Sequence, residues 1–125
     1  MSKQAKKILI AEDERAMAKA LELKLRSSGF DAKSVFNGED AVKELEKEHY
    51  DLLLLDIMMP IKDGFFVLEE IKNKNIKIPV IISSNLSQEE DVKKAKNLGA
   101  IDYFIKSNTP IASVIEHVKN ALKMK

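Results

Sequence analysis

The 125-residue chain contains no cysteine and no tryptophan, and it has only three prolines and four glycines. Without cysteine it can form neither a disulfide framework nor a catalytic thiolate, which suits a reducing, cytoplasmic location. Acidic and basic residues nearly balance, at 20 and 21, for a net charge of +1. This balance gives no general reason to expect direct contact with nucleic acid or with a charged membrane surface.

The chain also lacks a long hydrophobic run. The basic N-terminal segment is followed by an apolar run of only about five residues, which is shorter than the ~7–15 apolar residues of a signal peptide. No segment approaches the ~20 apolar residues that a membrane span requires. We therefore expect one domain over residues 1–125, with no membrane insertion.

What the sequence does contain is a regular alternation of strand-like and helix-like segments. The strand-like segments are 7–11, 31–36, 50–56, 78–83 and 101–105, of which 31–36 alternates weakly between polar and apolar residues. Each is followed by a segment of helical periodicity, of which the first covers 14–28. A Ser87–Glu90 pair predicts a capping box for the fourth helix, and Thr109 followed by Pro110 predicts the start of the fifth.

Strict alternation of this kind predicts an α/β protein with a parallel sheet and helices on both faces. We expect a (βα)5 flavodoxin-like, three-layer α/β/α sandwich with strand order 2-1-3-4-5. In that order the second strand lies at an edge of the sheet, which fits the weak, alternating pattern of 31–36.

Polar side chains follow these strands at their carboxyl ends, where ligands bind in sheets of this type. They are Glu12 and Asp13 after the first strand, Asp56 at the end of the third, Ser84 after the fourth and Lys106 after the fifth. Two carboxylates ~4 Å apart repel by about 4 kcal/mol at an effective dielectric constant of 20, so the acids need a cation between them. A hard, oxygen-preferring ion such as Mg²⁺ fits this set.

With a metal ion beside it, Asp56 can act as a nucleophile towards phosphorus. A transferring phosphoryl group needs its charge neutralised and its oxygens held. The metal can hold one oxygen, Lys106 a second, and the hydroxyl of Ser84 a third. The set therefore predicts formation and breakdown of an aspartyl phosphate.

The same segments resemble the receiver domain of two-component response regulators over essentially the whole chain. ILIAEDE is similar to the first-strand motif with its acidic pair, DLLLLDIMMPIKDGFFVL to the phosphoacceptor motif, IPVIISSN to the fourth-strand segment and LGAIDYFIK to the fifth. The resemblance implies that Asp56 is the phosphoacceptor. It implies that Asp13, Asp56 and the backbone carbonyl of Met58 bind Mg²⁺, and that Glu12 binds it directly or through water.

The resemblance also implies a signalling role. Lys106 would bridge to the phosphoryl group, while Ser84 and Tyr103 would act as the switch pair. A sensor histidine kinase or a histidine phosphotransfer protein would donate the phosphoryl group. A downstream protein would bind the surface formed by the fourth helix, fifth strand and fifth helix. The protein would then be no enzyme beyond its own phosphorylation and autodephosphorylation.

Three positions depart from the family pattern. Ser107 follows Lys106, where the family often has proline after a cis peptide bond, so the isomer of this bond stays open. Asn85 stands where a small alanine or glycine is common, and it would narrow access to the phosphoryl site and slow exchange with water. Met58 places an apolar side chain beside Asp56.

Other interpretations remain open. A pseudo-receiver would only bind proteins. A phosphohydrolase would need a second aspartate where the chain has Met58, and a flavin binder would need a glycine- or serine-rich phosphate loop where residues 12–14 are acidic. Ser84 is preferred to the adjacent Ser83 by its spacing from Pro79, although serines after strands are frequent turn residues. Tyr103 could also be core packing, and Asp63 is interpreted as a helix cap.

Overall fold

Each apolar run of the sequence forms a strand and each periodic segment forms a helix. The computed structural model describes residues 5–123; residues 1–4, at the start of the basic N-terminal segment, and residues 124–125 lie outside the described part. The elements are β1 (Lys7–Ala11), α1 (Arg15–Ser27), β2 (Asp31–Val35), α2 (Gly38–Lys47), β3 (Leu52–Leu55), α3 (Gly64–Asn73), β4 (Val80–Ser84), α4 (Glu89–Asn97), β5 (Asp102–Ile105) and α5 (Ile111–Lys123). One turn of 3-10 helix, Lys106–Asn108, separates β5 from α5.

The strands form one parallel sheet in the order β2-β1-β3-β4-β5, which confirms the predicted topology. β3 and β4 lie inside the sheet, and every residue of both strands is buried. β2 lies at an edge, and its residues Asp31 and Lys33 are exposed. The continuous apolar runs are therefore the central strands, and the alternating run is an outer strand.

The apolar core lies in two clusters, one on each face of the sheet. Because neighbouring side chains of a strand point to opposite faces, Leu53 and Leu55 of β3 join the cluster that includes residues of α2 and α3, with Ala95 from α4. Leu52 and Leu54 join the other cluster, under α1 and α5. These layers are the predicted α/β/α sandwich. Full burial of each leucine contributes about 1.5–3 kcal/mol.

The starts of the helices agree only in part with the prediction. Asp63 caps α3, since its side chain accepts a hydrogen bond from a backbone N–H of the first turn, as predicted. The predicted capping box at Ser87 is wrong: α4 starts one residue later, with Gln88 at the N-cap and no side-chain cap bond. The cap predicted at Thr109 is also wrong, because α5 begins only at Ile111 and the hydroxyl of Thr109 donates to the carbonyl of Ile105 at 2.8 Å.

The helices are short. The two longest within residues 5–123, α1 and α5, each have 13 residues. No helix in this part of the chain combines the length and the apolar character needed to cross a bilayer.

The first residue of α3 approaches the backbone that carries Asp56. The N–H of Gly64 donates to the carbonyl of Ile57 at 2.8 Å. A Cβ atom at residue 64 would lie 2.5 Å from the backbone oxygen of Asp56 and 2.8 Å from the Cα of Ile57. Real Cβ atoms do not approach backbone atoms so closely, so only glycine fits here without moving the chain next to Asp56.

We expect Gly64→Ala to lower the free energy of unfolding by about 1–3 kcal/mol, as overpacking against fixed backbone does. Alanine is otherwise the better helix former by about 1 kcal/mol, so helix propensity alone predicts the opposite sign. Urea unfolding measures the difference. Glu89→Ala, at the exposed first position of α4, is the matched control and should change stability by about 0.5 kcal/mol or less. A Gly64→Ala protein as stable as the unchanged one would contradict the close approach.

Candidate functional site

The acids predicted from the sequence meet at the carboxyl edge of the sheet. Glu12 directly follows β1 and Asp56 directly follows β3. The backbone N–H of Asp56 donates to the carbonyl of Ala11 at 2.9 Å, and that of Glu12 to the carbonyl of Val35 at 3.1 Å. These bonds continue the strand pairing by one residue. The backbone of both acids is therefore held in place by the sheet.

Three carboxylates share this edge. One oxygen from each of Glu12, Asp13 and Asp56 lies within 4.8 Å of the other two. Glu12 is only 2% exposed and Asp56 only 4%, whereas Asp13 is exposed. The second carboxylate oxygen of Glu12 accepts the backbone N–H of Glu14 at 3.0 Å, which fixes its orientation.

A single ammonium group partly balances these acids. Nζ of Lys106 lies 2.9 Å from Oε1 of Glu12 and 3.1 Å from Oδ2 of Asp56. Burial alone would lower the pKa of Lys106, but the hydrogen bond to Glu12 and the charges of both acids outweigh it and raise the pKa. Lys106 therefore stays charged at neutral pH.

The environment of Asp56 resists a negative charge. Its burial raises the pKa of the carboxyl to about 6, and the charge of Glu12 acts in the same direction. The charge and hydrogen bond of Lys106 and the backbone N–H of Met58, which donates to Oδ1 at 3.2 Å, act in the opposite direction. The carboxyl group of Asp56 therefore gains or loses its proton at a pH just below neutral.

A cavity of about 370 Å³ opens above these groups. It is lined by Glu12, Asp13, Glu14, Asp56, Met58, Asn85 and Lys106. Four carboxylates against one ammonium leave it strongly negative, and carboxylate oxygens are the ligands that Mg²⁺ prefers. The donor set and its charge therefore fit a hard divalent cation.

Within the described part of the chain, Ser84 and Tyr103 are not among the residues that line the cavity, although Ser84 directly precedes the lining residue Asn85. The fully buried Ser84 ends β4, and its Oγ accepts the backbone N–H of Leu86 at 3.1 Å. The hydroxyl of Tyr103 donates to the carbonyl of the same Leu86 at 2.7 Å. The ring of Tyr103 also packs against the core, as the alternative interpretation expected. Its role in a switch stays a prediction.

Two contacts at this edge were not predicted. Leu86 joins Ser84 and Tyr103 through its backbone, and no sequence pattern identifies such a role. The second contact joins Asn85 and Ser107, because the backbone N–H of Ser107 donates to Oδ1 of Asn85 at 2.8 Å. One indication of this second contact is present in the sequence, since Asn85 and Ser107 both differ from the receiver pattern. The peptide bond before Ser107, which the sequence left open, is trans, like every other peptide bond in the described range.

Comparisons with known proteins identify related chains. The chain is 36% identical over 124 aligned residues to a protein named "Probable transcriptional regulator ycf27" from Porphyridium aerugineum. That match covers 94% of this chain and 51% of the relative, so the chain spans about half the length of that protein.

Two solved structures share the fold closely. The Francisella response regulator 1452 receiver domain superposes with a TM-score of 0.88 at 31% identity, covering 94% of this chain and 97% of that one. The CheX-CheY-BeF3-Mg complex from Borrelia burgdorferi gives a TM-score of 0.87 at 29% identity, covering 94% and 90%.

The family model of the response regulator receiver domain matches residues 8–119. That range holds four of the five strands in full, β1 except for Lys7, and every residue that lines the acidic cavity. The chain therefore belongs to the response regulator receiver domain family, whose members are signalling domains of two-component systems.

Proposed function

We propose that the protein is a phosphorylation-dependent switch in which Asp56 accepts a phosphoryl group. The observation that carries the proposal is the position of this carboxylate. It lies at the floor of a strongly negative cavity, 3.1 Å from the ammonium of Lys106 and within metal-binding distance of Glu12 and Asp13. The donor would be a phosphohistidine of a sensor histidine kinase or a phosphotransfer protein, which enters from the open side of the cavity.

In the proposed transfer, an oxygen of Asp56 forms a bond to phosphorus while the bond from phosphorus to the donor histidine nitrogen breaks. The imidazole leaves neutral after taking up a proton. Mg²⁺ bound by Glu12, Asp13, Asp56 and the carbonyl of Met58 would neutralise the acids and hold one phosphoryl oxygen. Lys106 keeps its charge in this environment and can hold a second oxygen.

The proposed readout starts at Ser84. Its hydroxyl oxygen accepts the backbone N–H of Leu86, and a phosphoryl group on Asp56 would offer the O–H of Ser84 a charged acceptor. Turning the hydroxyl towards that acceptor would move the backbone of Leu86, to which Tyr103 is bonded. The change would reach the surface of α4, β5 and α5 as a shift between two existing packings.

We place the protein in the cytoplasm, with its output through a downstream protein bound at the α4, β5 and α5 surface and without direct nucleic-acid contact. Apart from its own phosphorylation and autodephosphorylation, it would catalyse no reaction. The alternative is a pseudo-receiver that only binds proteins, and it gives no reason for four acids and a lysine to line one cavity.

We expect acetyl phosphate with Mg²⁺ to form one phosphoryl adduct that hydroxylamine removes, as it does from acyl phosphates, with intact mass as the measurement. Asp56→Asn and removal of Mg²⁺ by a chelator should each abolish the adduct. Asp63→Asn is the matched control, because asparagine is as good a helix cap as aspartate, and it should be phosphorylated normally. Turnover of free phosphate esters without an adduct would favour a phosphohydrolase and overturn the proposal.

We expect the affinity for Mg²⁺ to depend on pH. Because the metal-free pKa of Asp56 is about 6, Mg²⁺ must displace a proton below that pH, and the affinity should fall by up to about tenfold per pH unit. Above about pH 7 the carboxyl is ionised and the affinity should level off. Titration calorimetry at several pH values measures this, with Asp63→Asn again as the control. Equal affinity at about pH 5 and about pH 7 would contradict the coupling of Mg²⁺ binding to the ionisation of Asp56.

We expect Ser84→Ala to uncouple the site from the readout surface. Beryllium fluoride with Mg²⁺, a stable stand-in for the phosphoryl group, should shift the NMR amide signals of Tyr103 and α4 in the unchanged protein. Those shifts should be largely lost in Ser84→Ala. Ser83→Ala is the control, because neighbouring residues of β4 point to opposite faces, and it should keep the shifts. Equal losses in both variants would argue against a switch at Ser84.

A further inference from the structure

Two residues that depart from the receiver pattern are bonded to each other. Asn85 is 22 residues before Ser107, and its Oδ1 accepts the backbone N–H of Ser107 at 2.8 Å. We call this hydrogen bond the Asn85–Ser107 clasp. It joins the loop after β4 to the 3-10 turn after β5.

The clasp can form only because both Asn85 and Ser107 differ from the residues common in the receiver pattern. Proline at residue 107 would have no N–H to donate, and alanine or glycine at residue 85 would have no side-chain acceptor. Ser107 lies within the single 3-10 turn Lys106–Asn108, and the first N–H groups of a helical turn find no partner inside it. The carboxamide of Asn85 satisfies one of them, so it acts as a cap supplied by a neighbouring loop.

The clasp joins the two segments that carry side chains proposed to hold the phosphoryl group. Asn85 directly follows Ser84 and Ser107 directly follows Lys106, so the clasp fixes the spacing of the two segments that carry those side chains. Asn85 itself is exposed, and it lines the same cavity as Asp56 and Lys106. With its oxygen held by Ser107, the side chain is fixed at the mouth of the cavity instead of turning freely in solvent.

Hydrolysis of the aspartyl phosphate would end the signal, and water must enter the cavity for this reaction. In hydrolysis the oxygen of water forms a bond to phosphorus as the bond from phosphorus to the oxygen of Asp56 breaks. The carboxylate is restored, inorganic phosphate leaves and a proton passes to solvent. Asp56 is almost completely buried and lines the cavity together with Asn85 and Met58, so water reaches the phosphorus through the cavity that these side chains line.

We propose that the Asn85–Ser107 clasp is a positioning contact that prolongs the life of the aspartyl phosphate by holding Asn85 across the path of the attacking water. The proposal rests on the function proposed above. It makes Asn85 and Ser107 a coupled pair, so that losing either partner has the same consequence as losing both.

We expect Asn85→Ala and Ser107→Pro each to shorten the half-life of the phosphorylated protein by roughly fivefold, the factor that one ordinary hydrogen bond supplies. The protein is phosphorylated with acetyl phosphate and Mg²⁺, desalted, and followed by intact mass. The double variant should decay no faster than either single variant, as a double-mutant cycle shows for coupled residues. Asn108→Ala, the same change one residue past Ser107, is the control and should decay like the unchanged protein.

Hydrogen exchange of the Ser107 amide in the unphosphorylated protein tests the clasp without any phosphoryl chemistry. Exchange should speed up several-fold in Asn85→Ala and stay unchanged in Asn108→Ala. Unchanged exchange, an unchanged half-life in Asn85→Ala, or fully additive effects in the double variant would each overturn the inference. Absence of any adduct in the unchanged protein would instead refute the proposed function, and the lifetime claim with it.

Discussion

One ammonium group balances two carboxylates that folding removes from water. Glu12 and Asp56 are almost completely buried, and Nζ of Lys106 lies within 3.1 Å of an oxygen of each. A buried charge without a partner is strongly destabilising, so the lysine is required. The lysine alone does not neutralise the site, because one positive charge leaves an excess of negative charge in the cavity. That excess favours the uptake of a proton or a divalent cation by the apo protein.

This balance depends on the whole sheet. Lys106 is 94 residues from Glu12 and 50 from Asp56, and only the parallel order brings all three to one edge. β5 lies two strands from β3, and neighbouring strands are about 4.8 Å apart. The cation must therefore reach across the end of β4, which a long, unbranched lysine side chain can do. Ser84 ends that same strand, so any movement there occurs directly beside the lysine.

The sequence predicts the parts of this molecule that depend on burial. Central strands of a parallel sheet are covered on both faces, so they appear as unbroken apolar runs such as 52–55, and the residue that follows such a run must lie at the rim. Helix starts were less predictable. Alternative cap residues differ by only about 1 kcal/mol. Neither Ser87 nor Thr109 supplies the predicted cap, since α4 follows Gln88 and the hydroxyl of Thr109 donates to a carbonyl. The bonds to Leu86 and between Asn85 and Ser107 depend on the backbone path of two loops, which residue patterns do not encode.

The edge strand β2 has a consequence for assembly. A free parallel edge offers unpaired backbone groups on which another chain could extend the sheet, and soluble proteins protect such edges with charge. Asp31 and Lys33 supply that protection, and Lys33 is also tied to Glu44 of α2 at 3.1 Å. Growth of the sheet from one molecule into the next is therefore disfavoured on this side. On this side of the molecule a partner would therefore bind through helices and loops, whose surfaces can change without breaking the sheet.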